Sequence, residues 1–456
     1  MVRKINGSVL LLLLVIAFSC GEDDDTSSAN NTPSDAKKII INPSITHQEM
    51  VGFGAALTWY SNRLASSSSK DAIAKLLFED LGADIIRFKN WYYPDDYPTN
   101  KGTTSMSDDI SGTMFISTNE IYDLVKSHDP TIKILLSSWG PPAGLKSNGS
   151  SREGTLKSDA NGFMYDAFAQ YWEDVLDYTP FNPDYISIQN EPGYINAGWT
   201  TCQWSATETA SLPGYDIAFD KVHEKIQGRG NPPLMIGPES PDTNSFSSFA
   251  EALKGKSNLS MFAYHPYNIN GSTPSAQISQ DLQDIKSYDG KPNLMTEFSD
   301  NLSWLNTASF INSTLTEANS SGYIYWKMVW APPLSSNPDV AMISIGQSGH
   351  YAVTPYYYLI KHFARDIDAG YQRIDATSEN SSLLVSAFIN PSQDKITIVV
   401  VNPGSKSDMD IGLAGGGAIE SITVKQSKEG SLYKTLDNVS PDKAITLKGN
   451  PSLQLS

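Results

Sequence analysis

The sequence predicts an α/β fold, a (β/α)8 TIM barrel with a small antiparallel β-sandwich side domain. Between residues 50 and 364, short β-branched apolar runs alternate with longer amphipathic segments, which is the pattern of strand–helix units around a parallel sheet. About eight such pairs can be counted, the number that closes a TIM barrel. After about Asp366 the helical patterns end, and short strand-like runs are separated by turns rich in Asn, Gly, Pro and Ser.

A doubly wound sheet is the competing fold for alternating strands and helices. Such sheets usually carry a glycine-rich phosphate loop after the first strand. The first strand here contains Gly52 and Gly54, but the third glycine at the required spacing is missing. The two glycines indicate instead a bulge or a close approach of neighbouring backbones. We therefore predict the barrel.

The predicted barrel elements follow one another in a regular order. Apolar β-branched runs bounded by turn residues predict strands at 50–56, 84–88, 131–138, 185–189, 234–237, 260–264, 292–296 and 323–326. Apolar residues at helical spacing predict helices at 71–81, 119–127, 163–178, 214–227, 247–253, 276–288, 308–320 and 356–364. In the first helix, for example, Ile73, Leu76 and Leu77 share one face, and Gly82 ends the helix.

The change from alternating strand and helix patterns to strand patterns alone also predicts the domain boundaries. Residues 37–48 are expected to supply an N-terminal strand of the side domain, residues 49–365 the barrel, and residues 366–456 the rest of the side domain. The strands of the side domain are predicted at 383–389, 395–401, 421–424 and 444–447. The strand Lys37–Ile41 could pair with them and bring the two ends of the chain together.

The first twenty residues resemble a bacterial lipoprotein signal. Arg3 and Lys4 form a basic start, and residues 9–18 are apolar but too short to span a bilayer. Cys20 follows a serine and precedes an acidic run, so we expect it to be lipidated; an ordinary cleaved signal peptide is the alternative. Residues 21–36 are polar and are predicted to be a disordered tether. The expected location is the cell surface or outer membrane, with the lipid as the only membrane contact.

Composition excludes several classes of partner. The chain has 456 residues and a formal net charge of −17, which is a poor match for nucleic acid or an anionic membrane surface. Its 22 Tyr and 9 Trp suit a groove that stacks on sugar rings. The two cysteines lie far apart, and no Cys/His cluster has metal-ligand spacing. We expect a monomer without a metal or cofactor.

Two glutamates stand at the ends of predicted strands. Glu191 follows a buried strand and precedes Pro192 and Gly193, which stop the strand, and Glu297 ends another strand. The carboxyl ends of barrel strands carry the chemistry in this fold. Paired carboxylates are typical of glycoside hydrolysis, in which one is the acid and the other the nucleophile or base, and a spacing of about 5 Å gives retention. A solvated surface glutamate is the alternative for either residue alone.

Other polar and aromatic residues are predicted at the same strand ends. Arg87 is a natural donor to an ionised carboxylate, although it could also serve a structural ion pair. Asn190, next to the first glutamate, could hold a sugar hydroxyl. Trp139 and Trp326 could stack on sugar or belong to the core at the barrel mouth. His265 could be a structural donor or a participant in the reaction.

Five motifs, in order, resemble glycoside hydrolase family 30. They are Gly52-Phe53-Gly54-Ala55, Ser137-Ser138-Trp139-Gly140-Pro141-Pro142-Ala143, Ser187-Ile188-Gln189-Asn190-Glu191-Pro192, His265-Pro266-Tyr267 and Leu294-Met295-Thr296-Glu297. The resemblance extends from about Ile39 to the end of the chain. It implies a retaining hydrolase with Glu191 as acid/base, Glu297 as nucleophile and a side β-domain built from both termini. Tyr267 is then expected to donate to the nucleophile.

Within the family, the sequence looks most like the xylanase branch. Asn190-Glu191-Pro192-Gly193-Tyr194 and Thr201-Cys202-Gln203-Trp204 lie near that branch's pattern, and Tyr194 would be a stacking platform on the leaving-group side. Glucuronoxylan-specific members carry an arginine after the eighth strand, where this chain has Lys327, which could not form a bidentate carboxylate clamp. The prediction is an endo-β-1,4-xylanase acting on (glucurono)xylan without that arginine. A β-1,6-glucanase or galactanase, an exo-β-glycosidase, or a non-catalytic glycan-binding surface protein are the alternatives.

Overall fold

The computed structural model describes residues 10–17, 37–101, 109–288, 290–299, 302–332, 340–405, 407–415, 419–436 and 445–447. The chain divides into two compact units. One comprises residues 54–301 and 322–354, and the other comprises residues 1–53, 302–321 and 355–456.

Eight parallel strands close into a barrel in the order of the sequence. They are β1 (Gly52–Leu57), β2 (Ile85–Lys89), β3 (Lys133–Ser137), β4 (Tyr185–Ser187), β5 (Leu234–Ser240), β6 (Leu259–Tyr264), β7 (Asn293–Phe298) and β8 (Gly322–Tyr325). Almost every residue in them is buried, as expected for parallel strands that are covered on both faces. The predicted (β/α)8 fold is confirmed.

Gly54 shows why the first strand needs glycine. A Cβ atom at this position would lie 1.6 Å from the backbone oxygen of Ile85 in the neighbouring strand. Only a residue without a side chain allows the two backbones to approach so closely. The close approach expected from the glycine spacing is therefore present between β1 and β2.

Helices follow most of the barrel strands. The helical segments are Ser61–Ala65, Lys70–Ala74, a π-helical turn Lys75–Asp80, Asp109–His128, a 3₁₀ turn Ala143–Leu145, Tyr165–Tyr178, Tyr215–Ile226, Thr243–Leu253, Ser275–Lys286, Trp304–Thr316 and Pro355–Ala364. The start of the second predicted helix was wrong, because the helix ending at His128 begins at Asp109 and not near residue 119. Its first turns are rich in Ser, Thr and Gly, which have little helical signal of their own. Among the described residues, no helix is both long and apolar enough to cross a membrane.

The barrel unit also contains short additional strands. A two-stranded hairpin joins Ser158–Asp159 to Gly162–Phe163, and Val329–Trp330, Ile343–Ile345 and Tyr351–Val353 form a three-stranded sheet after β8. The sequence analysis predicted none of them, since runs of two or three residues are too short for periodicity to detect.

The second unit is built on one nine-stranded, hydrogen-bonded sheet. The order across it is Ser431–Leu436, Ser421–Lys428, Leu10–Ala17, Lys395–Asn402, Leu384–Ile389, Gln372–Ser378, Lys37–Glu49, Ser407–Leu413 and Ile445–Leu447. Ile39, Ile374 and Ile398 belong to its buried apolar core. As expected, the strand that begins at Lys37 pairs with the C-terminal strands.

The prediction that this domain is antiparallel was wrong in part. Strand Lys37–Glu49 is antiparallel to Gln372–Ser378 but parallel to Ser407–Leu413, and Leu10–Ala17 is parallel to both of its neighbours. Parallel pairs need long connections, and these strands come from opposite ends of the chain. The sheet is therefore mixed.

The last two barrel helices in the sequence group with the sheet unit. Asn312 in helix Trp304–Thr316 donates to Ser386 at 3.1 Å, and His362 in helix Pro355–Ala364 hydrogen-bonds Ser427 at 2.6 Å. Sequence order alone had assigned both helices to the barrel domain.

The leader and the tether stay predictions. Residues 10–17, the apolar core of the predicted signal, form a strand in this structure. Cys20 and the predicted tether at 21–36 lie outside the described residues. Cys202 is a buried free cysteine.

Candidate active site

The structure brings the predicted site residues to the carboxyl end of the barrel. Arg87 lies in β2 and Glu297 in β7, while Trp139, Glu191 and His265 follow β3, β4 and β6. Trp139, Glu191 and Glu297 line a cleft of about 550 Å³. Among the described residues, its lining comprises Trp59, Trp139, Glu191, Tyr194, Trp199, Pro241, Asp242, Tyr267, Asn268, Glu297, Trp326, Lys327 and Trp330.

The carboxylates of Glu191 and Glu297 face each other. One oxygen of each, together with one ring nitrogen of His265, lies within 4.8 Å of the other two atoms. Two carboxyl groups about 5 Å apart flank a single sugar carbon, whereas a wider gap would admit a water molecule as in inverting enzymes. The spacing therefore suits direct attack by one carboxylate while the other supplies a proton.

Backbone contacts place Glu191 at the mouth of the barrel. The chain leaves β4 at Ser187, and the backbone N–H of Asn190 donates to the carbonyl of Ser138 at 2.6 Å. Glu191 then has φ 49°, in the left-handed region, and its N–H donates to the carbonyl of Glu239 at 2.9 Å. A residue with a Cβ is held in that conformation only when its surroundings require it.

Arg87 is the centre of the polar network. Its fully buried guanidinium donates from Nη1 to Oε2 of Glu297 at 2.5 Å and from Nη2 to Oδ1 of Asn190 at 2.6 Å. Its Nε donates to Oε1 of Glu239 at 2.9 Å and to Oγ of Ser137 at 3.0 Å. Burial alone would lower the pKa of Arg87, but the charges of Glu239 and Glu297 outweigh it and raise the pKa.

Glu297 has donors on both of its oxygens. Arg87 occupies Oε2, and the hydroxyl of Tyr267 donates to Oε1 at 2.9 Å. Burial raises the pKa of Glu297 and gives the net direction, while the charge of Arg87 and the hydrogen bonds from Tyr267 and Arg87 lower the pKa. These donors stabilise the ionised form, as a nucleophile requires.

Glu191 is in a different environment. Burial raises its pKa well above the usual value, and the negative charge of Glu297 raises it further; Arg87 opposes this only through space. A carboxylic acid that keeps its proton is suited to protonating a leaving group. The two environments differ in the way that an acid at 191 and a nucleophile at 297 would require, and these roles stay predictions.

His265 links Glu191 to β7. Its Nδ1 lies 3.1 Å from Oε1 of Glu191, and its Nε2 lies 3.1 Å from Oγ1 of Thr296. Burial and the charge of Arg87 lower the pKa of His265 well below its usual value, so the ring is neutral. A neutral imidazole has one N–H and one lone pair, and the Thr296 hydroxyl can complement either tautomer. His265 can thus hydrogen-bond Glu191 in both of its protonation states.

Aromatic rings form the walls of the cleft. Trp139 is 3% exposed and lies between Trp59 and Trp326, with ring centroids 6.0 and 6.2 Å away. Its ring also covers the Arg87 guanidinium at 4.7 Å. Tyr194 is 37% exposed and stacks beside the 41% exposed Trp199. Both Trp139 and Tyr194 line the cleft, and Tyr194 is the more exposed of the two.

Sequence reasoning missed Glu239 and Trp199. Glu239 stands near the end of β5, between Pro238 and Pro241, so the rule that singled out Glu191 beside Pro192 also applies to it. Because the predicted strand ended at residue 237, Glu239 was not recognised as a strand-end residue. Trp199 lies in a loop, where no periodicity indicates which way a ring faces.

The trio of Glu191, His265 and Glu297 offers atoms of the type that bind metals. Both oxygens of Glu297 already accept hydrogen bonds, and one of them contacts a guanidinium cation. A positive neighbour disfavours a second cation at the same carboxylate. The arrangement fits a pair of acids better than a set of metal ligands.

Two curated proteins are similar in sequence, and no family model matches the chain. Glucuronoxylanase XynC of Bacillus subtilis (strain 168) is 24% identical over 349 residues, which is 73% of this chain and 74% of that protein. Endo-1,6-beta-D-glucanase neg1 of Aspergillus fumigatus (strain ATCC MYA-4609 / CBS 101355 / FGSC A1100 / Af293) is 30% identical over 193 residues, 36% of this chain and 39% of that protein.

A solved structure supports the fold assignment. The glycoside hydrolase family 30 subfamily 8 xylanase from Clostridium acetobutylicum superposes with a TM-score of 0.66 at 20% identity, over 90% of this chain and 97% of that one. With the sequence relatives and the facing carboxylates, the barrel defines a glycoside hydrolase. The structural neighbour supports the barrel fold, and the curated xylanase is a sequence relative at 24% identity.

The Tyr267 hydroxyl gives a first prediction. Replacing Tyr267 by Phe removes a hydrogen bond that lowers the pKa of Glu297, so this pKa should rise. The acid limb of the kcat/KM profile, below which Glu297 is protonated, should move to higher pH, with a loss of roughly ten- to a hundredfold in kcat/KM at the optimum. Measuring the pH–rate profile of both forms tests this. An unmoved acid limb would show that the hydroxyl does not govern Glu297.

Proposed function

We propose that this protein is a retaining endo-acting glycoside hydrolase of β-linked polysaccharide, with xylan as the main substrate. The observation that carries the proposal is the pair of carboxylates within 4.8 Å, one with two donors and one without a guanidinium contact. The same pair argues against a glycan-binding protein without activity, since binding alone has no need of two differently tuned acids.

In the first step, an oxygen of Glu297 attacks the anomeric carbon and forms a glycosyl ester. Glu191 gives its proton to the glycosidic oxygen, so the leaving sugar departs as a neutral alcohol. Asn190 accepts from Arg87 through Oδ1, which directs its amide nitrogen elsewhere as a donor for a sugar hydroxyl. Arg87 and Tyr267 hold Glu297 in place before the attack.

In the second step, water attacks the anomeric carbon and the ester to Glu297 breaks. Glu297 carries no charge while it is esterified, so one of the influences that raise the pKa of Glu191 is absent. The lower pKa keeps Glu191 ionised after it has given up its proton, so its carboxylate is available to accept a proton from the incoming water. Two inversions at the same carbon give net retention, and both carboxyl groups return to their initial states.

The choice of xylan rests on the longer sequence match and on the motifs of the xylanase branch. Similarity to the glucuronoxylanase covers 73% of this chain, against 36% for the endo-1,6-glucanase. Lys327 lines the cleft, with its Nζ 5.2 Å from the Trp330 ring centroid. A lone ammonium is a weaker carboxylate clamp than a guanidinium, so we propose a xylanase that does not depend on glucuronate branches. A β-1,6-glucanase is the second candidate.

Two rings beside the acid favour a chain substrate. The centroids of Tyr194 and Trp199 lie 6.4 Å apart with an interplanar angle of 28°, and both rings line the cleft with Glu191. The acid stands on the leaving-group side, so these rings would stack on two sugars of the departing chain. Binding beyond the cleaved bond on that side is typical of endo action.

We also propose that the mature protein is anchored in a membrane by lipid at Cys20, because a basic start and a short apolar run precede this cysteine. Expression in a Gram-negative host with a palmitate analogue should label the wild-type protein in the membrane fraction. Cys20→Ser should lose the label and leave the membrane. Unlabelled wild-type protein would contradict the anchor.

Changing the two glutamates tests the mechanism. Glu191→Gln should lower kcat on xylo-oligosaccharides by roughly 10²–10⁴-fold, and Glu297→Ala by more, since no ester can form. Glu208→Gln, an exposed glutamate that contacts Tyr165, is the control and should keep full activity. Proton NMR of the first product should show the β-anomer. Full activity of either site variant, or α-anomer first, would refute the assignment.

Product analysis over a polysaccharide panel tests substrate and mode together. Xylan should be cleaved faster than β-1,6-glucan or galactan, with mixed oligosaccharides as the first products. Trp199→Ala should raise KM for long oligosaccharides several-fold and leave short aryl glycosides unchanged, because only the former reach this ring. Tyr351→Ala, an exposed aromatic outside the cleft lining, is the control. Release of monosaccharide alone would indicate an exo-enzyme.

A further inference from the structure

A third buried carboxylate lies beneath the facing pair. Glu239, near the end of β5, is 0% exposed and has φ 55°, in the left-handed region that disfavours residues with a Cβ. A buried, charged residue keeps a strained backbone conformation only when the surrounding structure holds the residue there. Neither the attack nor the proton transfer described above uses this carboxylate.

Glu239 contacts both halves of the catalytic machinery. Its Oε1 accepts from Nε of Arg87 at 2.9 Å and from Oγ of Ser137 at 3.1 Å. Its backbone carbonyl accepts from the N–H of Glu191 at 2.9 Å. One residue thus orients the guanidinium that holds Glu297 and also the backbone that carries Glu191.

We propose that Glu239 is a positioning residue that fixes Arg87 against Glu297 and keeps this guanidinium paired with an anion throughout the reaction cycle. The inference rests on the proposed retaining mechanism, in which Glu297 loses its charge in the glycosyl ester. Arg87 would then be a fully buried cation next to a neutral ester. Glu239 remains as its ion-pair partner at that stage, which avoids an unpaired buried charge.

The position of Glu239 also sets its electrostatic influence. Among the described residues, the charged and titratable groups around Glu191 include Glu297, Arg87, Glu239, Asp242, His265 and Tyr267. Those around Glu297 include Glu191, Arg87, Tyr267 and Glu239. The negative charge of Glu239 raises the pKa of Glu191 and of Glu297. Removing that charge should therefore lower both pKa values.

The test is Glu239→Gln, which removes the charge and keeps the shape. The amide oxygen can still accept from Arg87 and Ser137, and the amide nitrogen replaces Oε2, which has no hydrogen-bond partner among the described residues. Both limbs of the kcat/KM profile should move to lower pH by about one unit, because Glu297 ionises and Glu191 loses its proton earlier. Glycosylation should slow more than deglycosylation, because forming the ester leaves Arg87 without a paired anion, so the glycosyl-enzyme should not accumulate in a burst experiment.

Two further variants separate this role from a general effect on folding. Glu239→Asp retains the charge and should keep the wild-type position of both limbs even if kcat falls. Asp174→Asn removes another buried carboxylate, which contacts Tyr97 and Lys101 and does not line the cleft, and it should leave the profile unchanged. Lower activity of Glu239→Gln with an unmoved profile would mean that Glu239 only supports the fold, and would overturn the proposal.

A readout without substrate keeps this inference distinct from the proposed function. The side-chain carboxyl of Glu191 can be followed by ¹³C NMR and assigned through its loss in Glu191→Gln. Its titration midpoint should fall in Glu239→Gln by the same amount as the limbs. A wild-type protein without activity on any polysaccharide would reject the proposed function, whereas an unchanged midpoint would reject the charge coupling of Glu239 whether or not the protein is active.

Discussion

A single buried guanidinium decides how the mouth of this barrel is arranged. Arg87 starts on β2 and reaches Ser137 on β3, Asn190 after β4, Glu239 on β5 and Glu297 on β7. A buried cation is tolerated only when its donors meet acceptors and its charge meets anions. Four other parts of the chain must therefore converge on one side chain, and the closed barrel is the scaffold that lets them do so.

The same guanidinium separates two chemically identical residues. Glu297 contacts Arg87 and accepts from Tyr267, which favours its ionised form; Glu191 contacts the neutral His265 and has the charge of Glu297 nearby, which favours its protonated form. The difference comes from which groups donate to each oxygen and not from the residue type. The proposed acid and the proposed nucleophile thus differ in electrostatic environment before any sugar binds.

The carboxylate pair and the cleft walls have separate tasks. In the proposed function, the pair cleaves the glycosidic bond and sets the stereochemistry, while the rings of Tyr194, Trp199 and Trp326 in the cleft lining select the sugar chain. The two curated relatives illustrate this, since one is named for glucuronoxylan and the other for β-1,6-glucan. A shared fold therefore does not identify the sugar, and the walls have to be tested directly.

The sequence by itself determined the alternation of strands and helices, the eight-stranded count, and the places of Glu191 and Glu297, because periodicity, strand-stopping prolines and motifs are local signals. Tertiary structure alone decided that Arg87 would bridge Glu297 and Glu239, that Trp199 would lie beside Tyr194, and that the terminal sheet would be mixed. Those outcomes depend on contacts between residues up to 210 positions apart, and even further apart across the sheet. The spacing of residues in the sequence does not predict such contacts, because they form only when the barrel closes.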